Sequence, residues 1–301
     1  MISFERLRVL HAVSKHGSVV AAAAALHVTN SAVSQQIAKL EAELGEPLLT
    51  KSGRGVKLTD SAALLASHAD QLFAMLERAE AEFDARRDAI VGQISVAAFA
   101  TALRGLAPLA LQYLEKNHPQ LEVIVHEQEP ASAISLLDRG DIDLVIATDW
   151  KNAPLPTVNG LSKATLMDDV ADIAVPVRHR LAEQHEIRLK DLASDSWISW
   201  HNGSICHDWL VQALRSCGHE PTFSHRANEH ASQLALVAAG LGVCVIPRLG
   251  RDPVPRQLRI VPVRPALVRH VYALWRQEST RRRAIAVTLE AFKVASSRVS
   301  L

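Results

Sequence analysis

The sequence predicts a chain of two classes, an all-α head joined by a long helix to an α/β body. Three observations carry this. Residues 18–59 read as a helix-turn-helix followed by a basic wing. Residues 60–89 place apolar side chains at alternating spacings of four and three, a heptad seam. Beyond Gly92 the apolar period alternates between strand and helix, the pattern of a parallel α/β sheet.

The head can be argued element by element. A first helix from about Ser3 to His16 is expected to bury Phe4, Leu7, Leu10 and Val13. A second runs from about Ser18 to Leu26, capped by Ser18 after Gly17, and its alanine run permits close approach to a neighbour. Thr29 is a good N-cap for a third, because its hydroxyl can accept an otherwise unpaired amide proton of the first turn. Val33, Ile37, Leu40 and Leu44 then make one apolar face, and Gly45 suits the left-handed position past the end. The opposite face carries Asn30, Ser31, Ser34, Gln35 and Lys39. Asn and Gln pair bidentately with adenine and Ser bonds either way, so these side chains suit base edges. Lys51 and Arg54 in the wing suit phosphates. Spacing alone also fits any small bundle of capped helices with polar faces.

The seam of the long helix is Leu65, Ala69, Leu72, Leu76, Ala79 and Phe83. Such a helix can lie on its own domain or on a second copy of itself. Its charged outer positions favour the second copy, with Leu65, Leu72, Leu76 and Phe83 as dimerisation residues.

In the body, strands are expected over 94–99, 121–126 and 143–147, with helices over 106–116 and 131–139 between them. Pro154, Pro156, Asn159 and Gly160 interrupt the pattern. A second unit starts near Asp169, with strands over 170–175, 222–227 and 243–246 and helices over 207–217 and about 229–239. A strand near 270–275 and a helix over 280–294 close the chain.

Residues 1–59 resemble the N-terminal domain of LysR-type transcriptional regulators. The shared pattern is Phe4 and Leu7, Gly17-Ser18, the alanine block, Leu26-His27-Val28, Ser31 to Ile37, Leu40-Glu41, Leu44-Gly45, Leu48-Leu49, and Gly53-Arg54 before Leu58-Thr59. The chain departs where the family often has Pro (Ser31), an aromatic (Leu49) and Arg (Lys51). The first departure falls among the reading residues; the last keeps the charge. Gly140 to Ala147 and Val237 to Arg248 form a second signature, so the resemblance covers essentially the whole chain. It implies a winged helix-turn-helix over 1–59, a linker and dimerisation helix over 60–89, and an effector-binding domain over 90–301. That domain would be built like a periplasmic solute-binding protein, with lobe I about 90–162 and 266–301 and lobe II about 163–265. The implied partners are double-stranded DNA, a small-molecule effector, and further copies in a homodimer or homotetramer.

The formal charge of +1 gives no global pull toward nucleic acid, which argues against a nonspecific DNA coater. Arg6, Arg8, Lys39, Lys51, Arg54 and Lys57 supply local phosphate contacts instead. The N-terminus enters a helical pattern directly, with no signal peptide, and no long uncharged apolar span occurs. A cytoplasmic protein without a membrane partner is expected. The 3 cysteines do not make a disulfide scaffold.

In open α/β lobes, ligands bind outside the carboxyl ends of strands, where helix N-termini offer free amides. Three loops fit: Ala100-Thr101-Ala102, Thr148-Asp149-Trp150, and Trp200-His201-Asn202-Gly203-Ser204. Ala100, Thr101, Ala102, Asp149, Trp150, His201 and Asn202 are the expected effector residues. They suit a small polar ligand carrying a carboxylate and an ammonium. Each residue alone reads equally as part of a capped loop; the expectation rests on the two lobes.

Catalysis is not expected, and no cofactor. Gly240-Leu-Gly242 lacks a further glycine and precedes a strand, and neither a Gly-x-Ser-x-Gly elbow nor a Gly-Lys-Ser/Thr loop occurs. His201, Cys206, His207, His219, His225 and His230 show no recognised metal spacing, so no metal site is expected. Cys206 and Cys217 fall on one helix about 16 Å apart, whereas a disulfide needs Cα atoms within about 7 Å. Peroxide-sensing members of the resembled family remodel such a segment around a similar pair, so a redox switch is the alternative within regulation. A small-molecule-binding protein whose head does not read DNA is the alternative outside it.

Overall fold

The computed structural model describes residues 2–52, 55–84, 90–155 and 159–299. Arg54 lies outside the described residues.

Helices α1 (Phe4–His16), α2 (Val19–Ala25) and α3 (Asn30–Leu44) form the head. Both expected caps are made: Ser18 Oγ accepts from the Ala21 amide at 3.1 Å and Thr29 Oγ1 from the Ala32 amide at 3.2 Å. Gly17 and Gly45 close α1 and α3 with φ of 71° and 74°, a conformation that costs a side-chain-bearing residue but not glycine. Leu7, Leu10, Val13, Val33, Ile37 and Leu40 are buried, and all of these but Leu7 join Leu48 in the head's core. Phe4 is the exception among the residues expected to be buried: it is 48% exposed and sets its ring against Phe73, with centroids 5.1 Å apart. The wing strands β1 (Leu49–Ser52) and β2 (Gly55–Leu58) pair antiparallel. Glu41 Oε1 accepts from the Leu48 and Leu49 amides at 2.8 and 3.2 Å, fixing the wing against α3.

Helix α4 (Asp60–Asp84) divides the expected seam into two parts. Ala62, Ala66 and Ala69 are buried, and half-buried Leu65 packs on the head's own core. Leu72, Met75, Leu76 and Phe83 are exposed.

The body begins with β3 (Gly92–Ala98), α5 (Ala100–Gly105), α6 (Ala107–Asn117), β4 (Leu121–Glu127), α7 (Pro130–Arg139) and β5 (Leu144–Trp150). Strand β3 runs parallel to β4 and to β5. The 16-residue β6 (Leu161–Pro176) follows, then β7 (Ser196–Ser199), α8 (Ile205–Ser216), β8 (Thr222–Arg226), α9 (His230–Ala238), β9 (Cys244–Pro247) and β10 (Leu258–Val261). The returning β11 (Leu267–Arg276) and α10 (Arg283–Arg298) complete the chain. Strand β11 lies antiparallel between β5 and β6, while β9 and β10 pair with the far half of β6. Two crossing strands thus join two lobes. One core gathers Ile94, Leu106, Leu114 and Phe292; another gathers Trp197, Leu210, Leu214 and Val245.

The expected strand at 170–175 is the second half of β6. Its first half went unanticipated because Lys163, Asp168 and Asp169 break the apolar run. Short β7, β10 and α5 also went unanticipated, since four to six residues carry little periodicity.

Candidate functional site

On the head, α3 buries Val33, Ile37 and Leu40. By helical geometry its first turns then present Asn30, Ser31, Ser34, Gln35 and Lys39 to solvent, all of them exposed, as are Thr29 and Lys51. Among the described residues, a long contact from Gln35 Nε2 to Ser31 Oγ at 3.5 Å links two of these side chains. The expected reading residues therefore share one face, and their donors and acceptors are available to an outside partner.

In the body, strand alternation decides which expected residues meet. Arg269 on β11 stands opposite Trp150 on β5 and opposite Asp169 on β6, so these three share a sheet face. His270 stands opposite Asp149, which therefore lies on the other face. There Asp149 Oδ2 accepts from the Leu155 amide at 3.3 Å and lies 3.7 Å from Lys163 Nζ. The structure sets Asp149 apart from Thr101 and Trp150 for that reason. Ala102 belongs to the lobe I core and Ala100 is half-buried.

Thr101, by contrast, meets the charged pair at the crossing strands. Arg269 donates from Nε to Asp169 Oδ2 and from Nη2 to Thr101 Oγ1, both at 2.7 Å. All three residues are buried. The other oxygen of Asp169 accepts from the Leu249 amide at 3.0 Å, so the pair also holds the loop after β9. The next residue must be glycine: a Cβ on Gly250 would stand 2.2 Å from the Thr101 carbonyl oxygen, and its φ is +60°.

Further polar groups lie near this pair. Burial raises the Glu129 carboxyl above its usual range, with His201 and Arg269 partly opposing. Burial pushes the Cys206 thiol up to about 11, Arg269 opposing it only in part, so Cys206 stays a thiol at neutral pH. Trp150 stacks on Trp209 at 3.5 Å and 6°. His230 opens α9 with both ring nitrogens buried and unbonded; burial first, then the charges of Arg269, Arg104 and Arg251, hold it neutral with a pKa of about 3. One turn on, Gln233 donates to the Ala227 carbonyl at 2.7 Å and leaves Oε1 without a partner. Thr148 Oγ1 is likewise buried and unbonded. Buried polar atoms left unbonded are costly, and in a cleft they mark where a ligand or water bonds. His201 is held through Nδ1 and its amide by Asn228 Oδ1 at 2.8 and 3.1 Å, and Asn202 accepts from Arg226 at 2.7 Å.

Glu129, Asp169, Arg269, His230 and Gln233 were not among the expected residues. Glu129 follows the carboxyl end of β4 and falls under the same rule as the three chosen loops. Charged residues inside apolar strands, as Asp169 and Arg269 are, need a partner once buried, which is a signal a sequence carries. Among the described residues no cluster of three or more His, Cys, Asp or Glu could hold a metal ion, and no helix is long and apolar enough to cross a membrane.

Residues 4–63 match the family described as bacterial regulatory helix-turn-helix protein, lysR family, and residues 87–296 match the LysR substrate binding domain. A relative named HTH-type transcriptional regulator CysL, from Bacillus subtilis, is 27% identical over 264 residues, 86% of each chain. A hydrogen peroxide-inducible genes activator of Pectobacterium carotovorum is 26% identical over 251 residues, 83% of this chain and 80% of that one. Full-length OxyR from Pseudomonas aeruginosa shares the fold, with a TM-score of 0.73 over 98% of this chain and 95% of that one at 22% identity.

Proposed function

Because this chain belongs to the LysR family of DNA-binding transcriptional regulators, we propose that α3 reads its operator and that a small polar effector between the lobes controls it. The observation that carries the reading is the exposed polar face of Thr29, Asn30, Ser31, Ser34 and Gln35, opposite an apolar face sunk in the head's core. Those side chains meet base edges in the major groove, while Lys39, Lys51 and Arg54 meet phosphates. The exposed end of α4 pairs with a second copy, so that two heads reach one duplex. No step of this function needs catalysis.

The effector spans the cleft at Thr101, Trp150 and His201, with Glu129, His230 and Gln233 completing it. Glu129 suits an ammonium. The unbonded His230 and the first-turn amides of α9 suit a carboxylate. The Asp169–Arg269 pair joins β6 to β11, the two crossing strands, so a ligand beside it is placed to alter lobe closure and the spacing of the heads.

One observation favours the redox alternative: Cys206 lies in the cleft beside Arg269. Two stand against it. The thiol is pushed up to about 11, and α8 runs unbroken from Cys206 toward exposed Cys217. A bond between them requires melting the helix. The deciding experiment is operator affinity with and without peroxide, in wild type and in Cys206→Ser. The expected outcome is the same affinity in all four arms. A peroxide response that Cys206→Ser abolishes would replace the effector reading with a redox one.

A further inference from the structure

A cavity lies at the far end of helix α8. Trp209, Ala213, Ser216 and Cys217 form one stripe along the helix, facing the turn at 188–190, the chain after β5 and the connection from β10 to β11. They enclose about 950 Å³, within the usual size of a small-molecule site. The floor is apolar, with Trp209, Leu189, Val263 and Leu267 prominent in it. The polar groups are mostly of one sign. Lys151, Arg188, Lys190 and Arg264 reach the cavity from three separate segments, and among the described residues no acidic side chain lines it.

Lys151, Arg188 and Lys190 make no ion pair among the described residues. Arg264 lies 3.7 Å from Glu186, but at 77% and 46% exposure that pair is weak. A concentration of four cations in a chain whose formal charge is +1 is local, and over an apolar floor it selects one kind of occupant.

We propose that this groove is a second ligand site, distinct from the cleft, that takes a small amphipathic anion, an apolar body carrying one carboxylate or sulfonate. Ring contact with Trp209 and burial on Leu189 and Leu267 hold the body; the lysines and arginines at the mouth hold the charge. The groove and the cleft share a wall. Trp209 of the groove stacks flat on Trp150 of the cleft, and its Nε1 donates to Asn152 at 2.8 Å, beside Lys151. An anion that shifts Trp209 therefore shifts Trp150, which couples the two sites through one indole pair.

The test uses the full-length protein and 8-anilinonaphthalene-1-sulfonate as probe. Cys217 is exposed in the groove, whereas Cys206 is half-buried and Cys244 buried, with thiols pushed up to about 11 and about 12. The rate at which neutral N-ethylmaleimide labels Cys217, read by peptide mass, therefore reports occupancy. The sulfonate is expected to slow labelling saturably, and the neutral analogue N-phenyl-1-naphthylamine to bind about tenfold more weakly or worse. Lys190→Glu with Arg264→Glu, both on the surface, should raise the half-saturating concentration about tenfold and leave the melting temperature unchanged. Thr101→Val in the cleft should leave protection intact, which separates this site from the effector reading. No protection, equal protection by the neutral analogue, or equal protection in the charge-reversed variant overturns the proposal. So does protection lost with Thr101→Val. Labelling that slows with protein concentration alone assigns the groove to a second copy and also overturns it.

Discussion

Replacing Leu72 and Leu76 by glutamate is expected to yield monomers that no longer hold an operator. The first turns of α4 put part of their apolar face on the head: Ala62 joins the head's core and Leu65 packs against it, and Ala66 and Ala69 are also buried. In the later turns Phe73 sets its ring against Phe4 and His11, while several large apolar side chains stay in solvent. Leu72, Met75, Leu76 and Phe83 are 49%, 67%, 43% and 64% exposed, a patch too large to leave in water on a lone helix. In a two-fold dimer each substitution counts twice. At about 1.5–3 kcal/mol for each buried side chain, four lost leucines remove on the order of 6 kcal/mol or more. That is about four orders of magnitude in the dissociation constant. Two heads on one face of a duplex need half-sites about 34–36 Å apart or a multiple, so a monomer forfeits one half-site outright. Sedimentation velocity reads the oligomer, and an unchanged one in the double variant would place the contact elsewhere.

The second large effect is expected at the crossing strands. Arg269 and Asp169 are 3% and 0% exposed, and Arg269→Met leaves a carboxylate buried without its cation. Breaking such a pair costs about 3–5 kcal/mol. For a body of this size about 2–4 °C is lost per kcal/mol, so the melting temperature should fall by about 6–20 °C. Adding Asp169→Leu removes the stranded charge and should restore most of the loss, since apolar replacement of a whole buried pair is close to neutral. Calorimetry of the two variants checks this. A fall of less than about 2 °C in Arg269→Met, or a double variant no better than the single, would show that the pair does not join the strands.

What the sequence made legible follows the range over which each signal acts. Thr29, Ser18, Gly17 and Gly45 act within one helical turn, and all four do in the structure what local chemistry requires. The strand and helix alternation of the body was legible for the same reason, because period needs only neighbours. Tertiary decisions were not. Phe4 stays half in solvent because Phe73 on α4 gives its ring a partner outside the head's core. Leu65 fits the heptad seam, yet the head takes it. Thr101 meets the buried Arg269, but Asp149, adjacent in sequence to Trp150, faces the other side of the sheet. That outcome follows from strand register, which is fixed only when β11 inserts between β5 and β6. Arg269 lies 100 residues from Asp169 and 168 from Thr101, and no local pattern joins them.

The most direct test of operator reading by α3 is DNase footprinting of the DNA upstream of the protein's own gene, paired with affinity titration of Gln35→Ala. The expected result is protection of two half-sites about 34–36 Å apart, and a loss of about 1–3 kcal/mol in Gln35→Ala confined to one base position in each. Binding to unrelated duplexes should be unchanged by that substitution, because it removes no phosphate contact. No protected site, or a Gln35→Ala variant that discriminates between sequences as well as wild type, would contradict the reading of α3 as the element that specifies the operator.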